Sequence, residues 1–398
     1  MTDDPFRYRD RPEDFVVEEL VAEPPGEAED GTHVWFTVEK RGVSTPAAAR
    51  RIARALGRRG GDVSFAGRKD AVAWTRQRMS VEHVDPNALM ALELEGVSVS
   101  EPRRQRRKLR PGELRGNRFE LVLRGVDGAA VPRMEGALAV LGRDGMPNPY
   151  GEQRFGAGGL ELARRLVHGT AVEYLAALAD AAAPAQREAA AELVRRVREG
   201  SQGERRRAAE LCPSLPLDLV PVARQLARRR PDDPAELLGA VPRTSRAFHL
   251  AILQGAVFND VLGRRLAEGT AAAALEGDVV LRDDGRHGHV SLEHPAEGAV
   301  PCGPMWAPGL AGAMGRPGEV ERAAFEAEGL APEAPARPGG LQPRGSRRPL
   351  FVPVGAPALR RLEEGEDGLA LRVTFDLPPG SYATALLDRL REACLEAS

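Results

Sequence analysis

Two short runs rich in Val and Phe, Asp14 to Leu20 (DFVVEEL) and His33 to Glu39 (HVWFTVE), read as strands on either side of the turn-forming segment PPGEAEDG. Thr45-Pro46 then opens a helix, AAARRIARALG. Thr45 is expected at the N-cap, Pro46 stands at the first helical position and Gly57 closes it. The stretch Val63 to Val81 (VSFAGRKDAVAWTRQRMSV) reads as a strand, a break at Gly67 and a second strand through Gln77, Met79 and Val81. A helix is expected over Pro86 to Leu92, then a strand over Val97 to Ser100. Alternation returns from Asn117 to Gly125 (NRFELVLRG), and Pro132 to Leu141 is helical.

Beyond Asn148 the character changes. Gly159 to Leu238 is Ala-, Leu- and Arg-rich with helical periodicity, and Arg243 to Leu266 reads as one long amphipathic helix. Its predicted core stripe is Phe248, Ile252, Val257, Phe258, Val261 and Leu262. Gly277 to Glu293 resembles a β-hairpin, Gly303 to Ala313 a Gly/Pro loop and Pro332 to Pro349 a linker. A strand over Leu369 to Gly380 and a helix over Ser381 to Ala393 close the chain. The division is a strand-rich α+β unit split by a helical insertion.

The totals agree with a globular protein. Among 398 residues, 42% are hydrophobic and 29% charged, with a net charge of −2. That near-neutral average hides a basic run, Arg103 to Arg118 (RRQRRKLRPGELRGNR), with seven Arg and Lys108 against one Glu. Such density makes it either a phosphate contact or a solvated loop. The three cysteines, Cys212, Cys302 and Cys394, stand far apart, so neither a disulfide framework nor a zinc ribbon fits. No apolar run has membrane-spanning length and the N-terminus has no signal-peptide core, so a cytoplasmic location is expected.

Chemistry concentrates at the Gly67 break. Asp70 is the only carboxylate between Asp62 and Glu82, with Arg68, Lys69, Arg76 and Arg78 nearby in sequence. Cations favour the ionised form of a carboxyl, and a lone carboxylate in such a setting suits a nucleophile or base acting on an anionic substrate. The same residues could instead form a solvated ion pair. His287, His289, His294 and Cys302 lack regular metal-ligand spacing. Gly61 to Lys69 is not a phosphate loop, and there is no GxSxG elbow. No metal or cofactor is called for.

Six segments in order resemble the TruD family of tRNA pseudouridine synthases. They are PEDFVVEE (Pro12 to Glu19), VSFAGRKDAVAWTRQ, RKLRPGELRGNRFELVLR (Arg107 to Arg124), NPYGEQRFG (Asn148 to Gly156), RAFHLAILQGAVFNDVL (Arg246 to Leu262) and FDLPPGSYATALLDRL (Phe375 to Leu390). Pro149-Tyr150 and Gln105 depart from the family's usual residues. The resemblance implies a pseudouridine-synthase fold with a mainly antiparallel sheet. It implies a catalytic domain of residues 1–146 and 349–398, interrupted by a TruD insertion domain of residues 147–348. It makes Asp70 the catalytic aspartate, puts Phe15, Asn117 and Tyr382 around the uridine, and has Phe119 support the flipped nucleotide. Lys69, Arg107 and Lys108 would hold tRNA phosphates. The implied enzyme acts on tRNA, with uridine 13 the expected target and other RNA conceivable, as a monomer without a cofactor and without a membrane. Two alternatives remain at this level: a non-catalytic RNA-binding protein or RNA chaperone, and a helical interaction scaffold.

Overall fold

A computed structural model describes residues 4–21, 26–156, 158–228, 233–282, 287–290, 299–330, 340–362 and 368–396. The chain divides into two compact units, residues 1–146 with 352–398, and residues 147–351.

The first unit is built on an eight-stranded sheet. Its strands are β1 (Phe15–Leu20), β2 (His33–Lys40), β3 (Ser64–Phe65), β4 (Trp74–Glu82), β5 (Val97–Gln105), β6 (Gly116–Val126) and two further strands, Gly355–Arg361 and Leu369–Leu377. The order is Gly355–Arg361, Leu369–Leu377, β6, β1, β4, β2, β5, with β3 beside β4. Only β1 and β4 run parallel; the other pairs are antiparallel.

Register sorts the side chains into two faces. On one face, β1 places Phe15 opposite Leu121, Val17 opposite Phe119 and Glu19 opposite Asn117. Leu369–Leu377 continues that row, with Val373, Phe375 and Leu377 against the same three β6 residues. Helices Val131–Asp144 and Ala383–Leu395 cover this end through Met134, Leu138, Leu386, Leu387 and Leu390. At the other end helix Thr45–Ala55 lays Ala48, Ala49 and Ile52 on Val34, Phe36, Val38 and Met79. Each such Leu, Ile or Phe withdrawn from water contributes about 1.5–3 kcal/mol. Between the two apolar clusters runs a polar strip of Lys40, Thr75, Gln77, Glu19 and Asn117.

The opposite face is a ladder of alternating charge. Arg118 grips Asp376 at 2.8 and 2.9 Å, and Arg76 lies 3.5 Å from Glu18 and 2.9 Å from Glu101. Exposed pairs of this kind contribute little singly, but they neutralise one another.

In the second unit, helices Gly159–His168, Ala171–Asp180, Pro184–Glu199 and Val220–Arg228 share one core. Helix Arg243–Ala267 organises another, against a four-stranded sheet in the order Ser346–Pro349, Val300–Met305, Val279–Leu281, His287–His289. Arg265 and Asp278 form a buried ion pair with contacts of 2.8 and 3.0 Å.

Several sequence expectations are corrected. Ser44, not Thr45, caps the first helix, its Oγ accepting from the Ala47 N–H, because the Thr45 hydroxyl is engaged inside. The strand expected to end at Ser100 continues to Gln105, since its ladder with β2 carries Trp35 opposite Arg103 and His33 opposite Gln105. Arg103 and Arg104 therefore lie in a strand, not in a solvated loop. Gly303 to Met305, expected to begin a Gly/Pro loop that runs to Ala313, instead end a strand, Val300–Met305, which pairs with two neighbours and buries Cys302 and Met305. Ser346–Pro349 is likewise a strand, while much of the expected linker lies outside the described residues. Phe248 is 56% exposed although Ile252, Val257, Phe258, Val261 and Leu262 are buried, with Leu250 and Leu253 joining them. Helical period marks a face but not where the covering partner stops. No helix is long and apolar enough to cross a membrane among the described residues, and none of these residues groups as a metal site; His294 lies outside them.

Replacing Arg265 by Met should destabilise the second unit by about 3–5 kcal/mol by stranding the Asp278 carboxylate in the interior. Adding Asp278→Leu should recover most of that loss. Hydrogen exchange of the Arg243–Ala267 amides under rising urea measures both.

Candidate active site

The segment Gly67–Ala73, between β3 and β4, crosses the polar strip, and four contacts hold it there, backed by a hydrogen bond between Thr45 and Gln77. The Lys69 N–H donates to Thr45 Oγ1 at 2.9 Å, Thr45 Oγ1 donates to Gln77 Oε1 at 2.7 Å, and Gln77 Nε2 donates to the Gly67 carbonyl at 3.0 Å. Lys40 Nζ donates to the Asp70 carbonyl at 2.7 Å, and Lys69 Nζ meets Glu19 Oε2 at 2.6 Å. Glu19 Oε1 also accepts the Arg78 N–H at 3.2 Å. A Cβ at Gly67 would stand 3.1 Å from Lys69 Nζ, so the missing side chain makes room for that ion pair.

This framework leaves the Asp70 carboxylate outward, with its side chain 40% exposed. Oδ1 accepts the Val72 N–H at 3.3 Å, and Oδ2 lies 3.5 Å from Arg9 Nη2. Arg9 adopts a left-handed φ of 72°, which aims its guanidinium across the Phe15 ring at 4.1 Å. Arg76 and Arg78, the cations adjacent in sequence, turn instead to Glu101 on the other face.

Asn117 stands directly across from Glu19, and its Oδ1 is buried without a hydrogen-bond partner. A buried acceptor left open costs free energy, so it is suited to a ligand N–H. Ser381 Oγ is in the same condition, beside the half-buried Tyr382 at the head of the last helix. Phe15 and Phe119 are buried, 5% and 7% exposed. Phe119 stacks on Phe375 at 5.2 Å and meets Phe15 edge-on at 6.3 Å, so the aromatic column flanks the polar strip on the same sheet face.

The basic run splits by role. Arg118 is committed to Asp376, Arg106 to Asp30 and Arg107 to Glu113. Lys108, Arg110 and Arg115 are exposed, as is Arg68. Their loop is tied to the Asp70 segment. Gly112 N–H donates to the Ala66 carbonyl at 2.8 Å, Trp35 Nε1 to the Arg107 carbonyl at 2.7 Å, and Trp35, Ala66, Leu109 and Leu114 share a small core. Lys69, expected on a phosphate, is committed to Glu19, with side chains 6% and 0% exposed. In the second unit NPYGEQRFG and the long helix lock together. Asn259 Oδ1 accepts the Tyr150 N–H at 2.8 Å, and Arg154 and Arg348 lie 4.1 and 4.2 Å from the Tyr150 ring.

The family model described as tRNA pseudouridine synthase D (TruD) matches residues 6–390. The chain belongs to the TruD family. Geobacter metallireducens tRNA pseudouridine synthase D is 37% identical over 384 residues, 94% of this chain and 92% of that one. The Geobacter sulfurreducens protein of the same name is 36% identical over 392 residues, 96% and 92%. A crystal structure titled as a TruD protein from Methanosarcina mazei has a TM-score of 0.75 at 23% identity, covering 97% of this chain and 93% of that one, and so shares the fold.

Within this TruD chain, sequence reasoning missed Arg9, Lys40, Glu19 and Ser381 as members of the site. Arg9 is 61 positions from Asp70 and Glu19 is 50 from Lys69. Nothing local ties such pairs together. Removing the ammonium in Lys69→Met should cost about 3–5 kcal/mol by leaving Glu19 buried alone. The logarithmic salt slope of tRNA binding, measured on the folded fraction at low temperature, should stay unchanged; a shallower slope would put this lysine on a phosphate after all.

Proposed function

We propose that Asp70 is the catalytic residue of a tRNA pseudouridine synthase whose target is uridine 13. The observation that carries this reading is a half-exposed carboxylate on a segment locked by four contacts, on the same face as an unsatisfied Asn117 acceptor. The reaction breaks the N1–C1′ bond, turns the uracil and joins C5 to C1′. Base and sugar are both retained and no redox change occurs, so the chemistry calls for no cofactor.

The uridine must leave its stack first, at roughly a few kcal/mol. Tyr382 offers a half-buried ring, and base–aromatic stacking returns about 1–3 kcal/mol. Phe15 and Phe119 act from the side, as the apolar wall against which the polar groups stand. Asn117 Oδ1 accepts the uracil N3–H while its amide donates to a neighbouring carbonyl, a pairing complementary to uracil. Asp70 then works at the sugar, either attacking C1′ or removing the C2′ proton. Arg9 holds the carboxylate from the solvent side. Lys108, Arg110, Arg115 and Arg68 contact tRNA phosphates. The enzyme works as a monomer in the cytoplasm.

Asp70→Asn should abolish pseudouridine formation in a tritium-release assay on unmodified tRNA while binding stays within about threefold. Turnover near the parent level would sink the assignment and favour a non-catalytic RNA binder. Replacing Lys108, Arg110 and Arg115 together by Ala should reduce the logarithmic salt slope by about 0.7–0.9 for each phosphate that is no longer neutralised. An unaltered slope would place the phosphates elsewhere. Mapping pseudouridine along tRNA before and after incubation tests position 13.

A further inference from the structure

Lys40 ends β2 with 1% of its surface exposed, and its ammonium donates to the Asp70 carbonyl at 2.7 Å. The steps at the base and sugar leave it without a part in the reaction. Enclosing an ammonium is costly, and a Met of similar volume would fill the space without that cost. Several elements present groups to it. From the loop, Asp70 favours its charge and Lys69 opposes it, but Lys69 is matched by Glu19 of β1. Thr75 of β4 stands directly across from it, and Gln77 of β4 and Thr45 of the first helix contribute neutral groups. The charge beside Lys40 that no other interior group offsets is therefore that of Asp70. Arg9 approaches the same carboxylate from the solvent side, at 3.5 Å. Asp70 thus stands between an outer cation and an inner one.

We infer that Lys40 is a positioning residue for catalysis, holding the Asp70 main chain and supplying a fixed interior positive charge for the anion that persists through the reaction. The inference rests on Asp70 as the catalytic group. Before bond cleavage the negative charge is on the Asp70 carboxylate. When the N1–C1′ bond breaks, its electron pair departs on N1, and a carboxylate oxygen bonds to C1′ or takes the C2′ proton. The single negative charge thereby moves from Asp70 to the uracil and returns when C5 joins C1′ and Asp70 releases C1′ or gives back the C2′ proton; loss of the C5 proton and protonation of N1 then complete the product. A cation already built into the protein stabilises that charge at every stage without reorganising. Burial brings the Lys40 pKa down to about 8, against the pull of Asp70, so its charge is lost within an accessible range.

The test is the single-turnover rate of pseudouridine formation on unmodified tRNA from pH 6.5 to 9 for the parent, Lys40→Met, Lys40→Arg and Asp70→Asn, with thermal melting and tRNA binding of each. The parent should lose about tenfold in rate with a midpoint near pH 8. Lys40→Met should be at least tenfold slower at pH 7 and lack that midpoint. It should also bind tRNA within twofold and melt no lower than the parent, an outcome that a merely structural lysine would not give. Lys40→Arg, which does not titrate here, should recover most of the pH 7 rate and also lack the midpoint. A full pH 7 rate in Lys40→Met, or the same midpoint retained in that variant, overturns the inference. Should Asp70→Asn turn over, the catalytic reading itself fails; should Asp70→Asn be inactive while Lys40→Met matches the parent, only the role of Lys40 fails.

Discussion

The first unit is organised by a polar strip that its own sheet could not otherwise bury. Lys40, Gln77, Glu19 and Asn117 lie in a row between two apolar clusters on one sheet face. Each would be costly unpaired in that position. The segment Gly67–Ala73 meets most of the demand, supplying Lys69 to Glu19, the Gly67 carbonyl to Gln77 and the Asp70 carbonyl to Lys40. Satisfying these interior groups is therefore the same event as fixing Asp70. The strip remains open at Asn117 Oδ1, which is buried without a hydrogen-bond partner. Rigid backbone with unsatisfied polar atoms is the arrangement expected of a site whose substrate completes it.

The charge on the opposite face follows a different logic. There arginines and carboxylates alternate across five strands and pair with one another. The loop carrying Lys108, Arg110 and Arg115 breaks from this pattern. It joins the Asp70 segment through a hydrogen bond to Ala66 and the small Trp35 core. A chain with net charge −2 can in this way keep a local positive field beside its site.

What could be read in advance divides along sequence distance. Alternation located β1, β2, β4 and β6, because a strand half-buried against helices leaves its period in the chain. Asp70 stood out by isolation among cations, and Asn117 and Tyr382 through their motifs. The cations that matter to Asp70 were not the adjacent ones. Arg76 and Arg78 point to the other face by the same alternation that identified their strand, while Arg9 and Lys40 arrive from remote segments. Lys69 looked like a phosphate contact because Glu19, its partner, is invisible from position 69. Phe248 failed as core for a comparable reason: periodicity describes a helix, not the extent of its neighbour. Thr45 was misread as a cap since its hydroxyl could serve either role, and only the position of Gln77 decides.

Lys40 sets stability and chemistry against each other. Its pKa falls from 10.5 in the exposed residue to about 8 in the fold, so below pH 8 both folded and unfolded chains carry the proton and the fold bears the full cost of enclosing it. As pH rises from about 8 toward 10.5 the folded lysine is neutral while the unfolded one stays charged, and stability increases. A shift of this size corresponds to roughly 3 kcal/mol, comparable with a buried leucine's whole contribution. The fold thus carries the buried Lys40 charge across the neutral range, at a cost that an apolar side chain would avoid. That cost is borne by the two apolar clusters on either side, whose packing must exceed it for the polar strip to exist. Selection for stability alone would have placed an apolar side chain at this point of β2, as it did at Val34, Phe36 and Val38 on the same face.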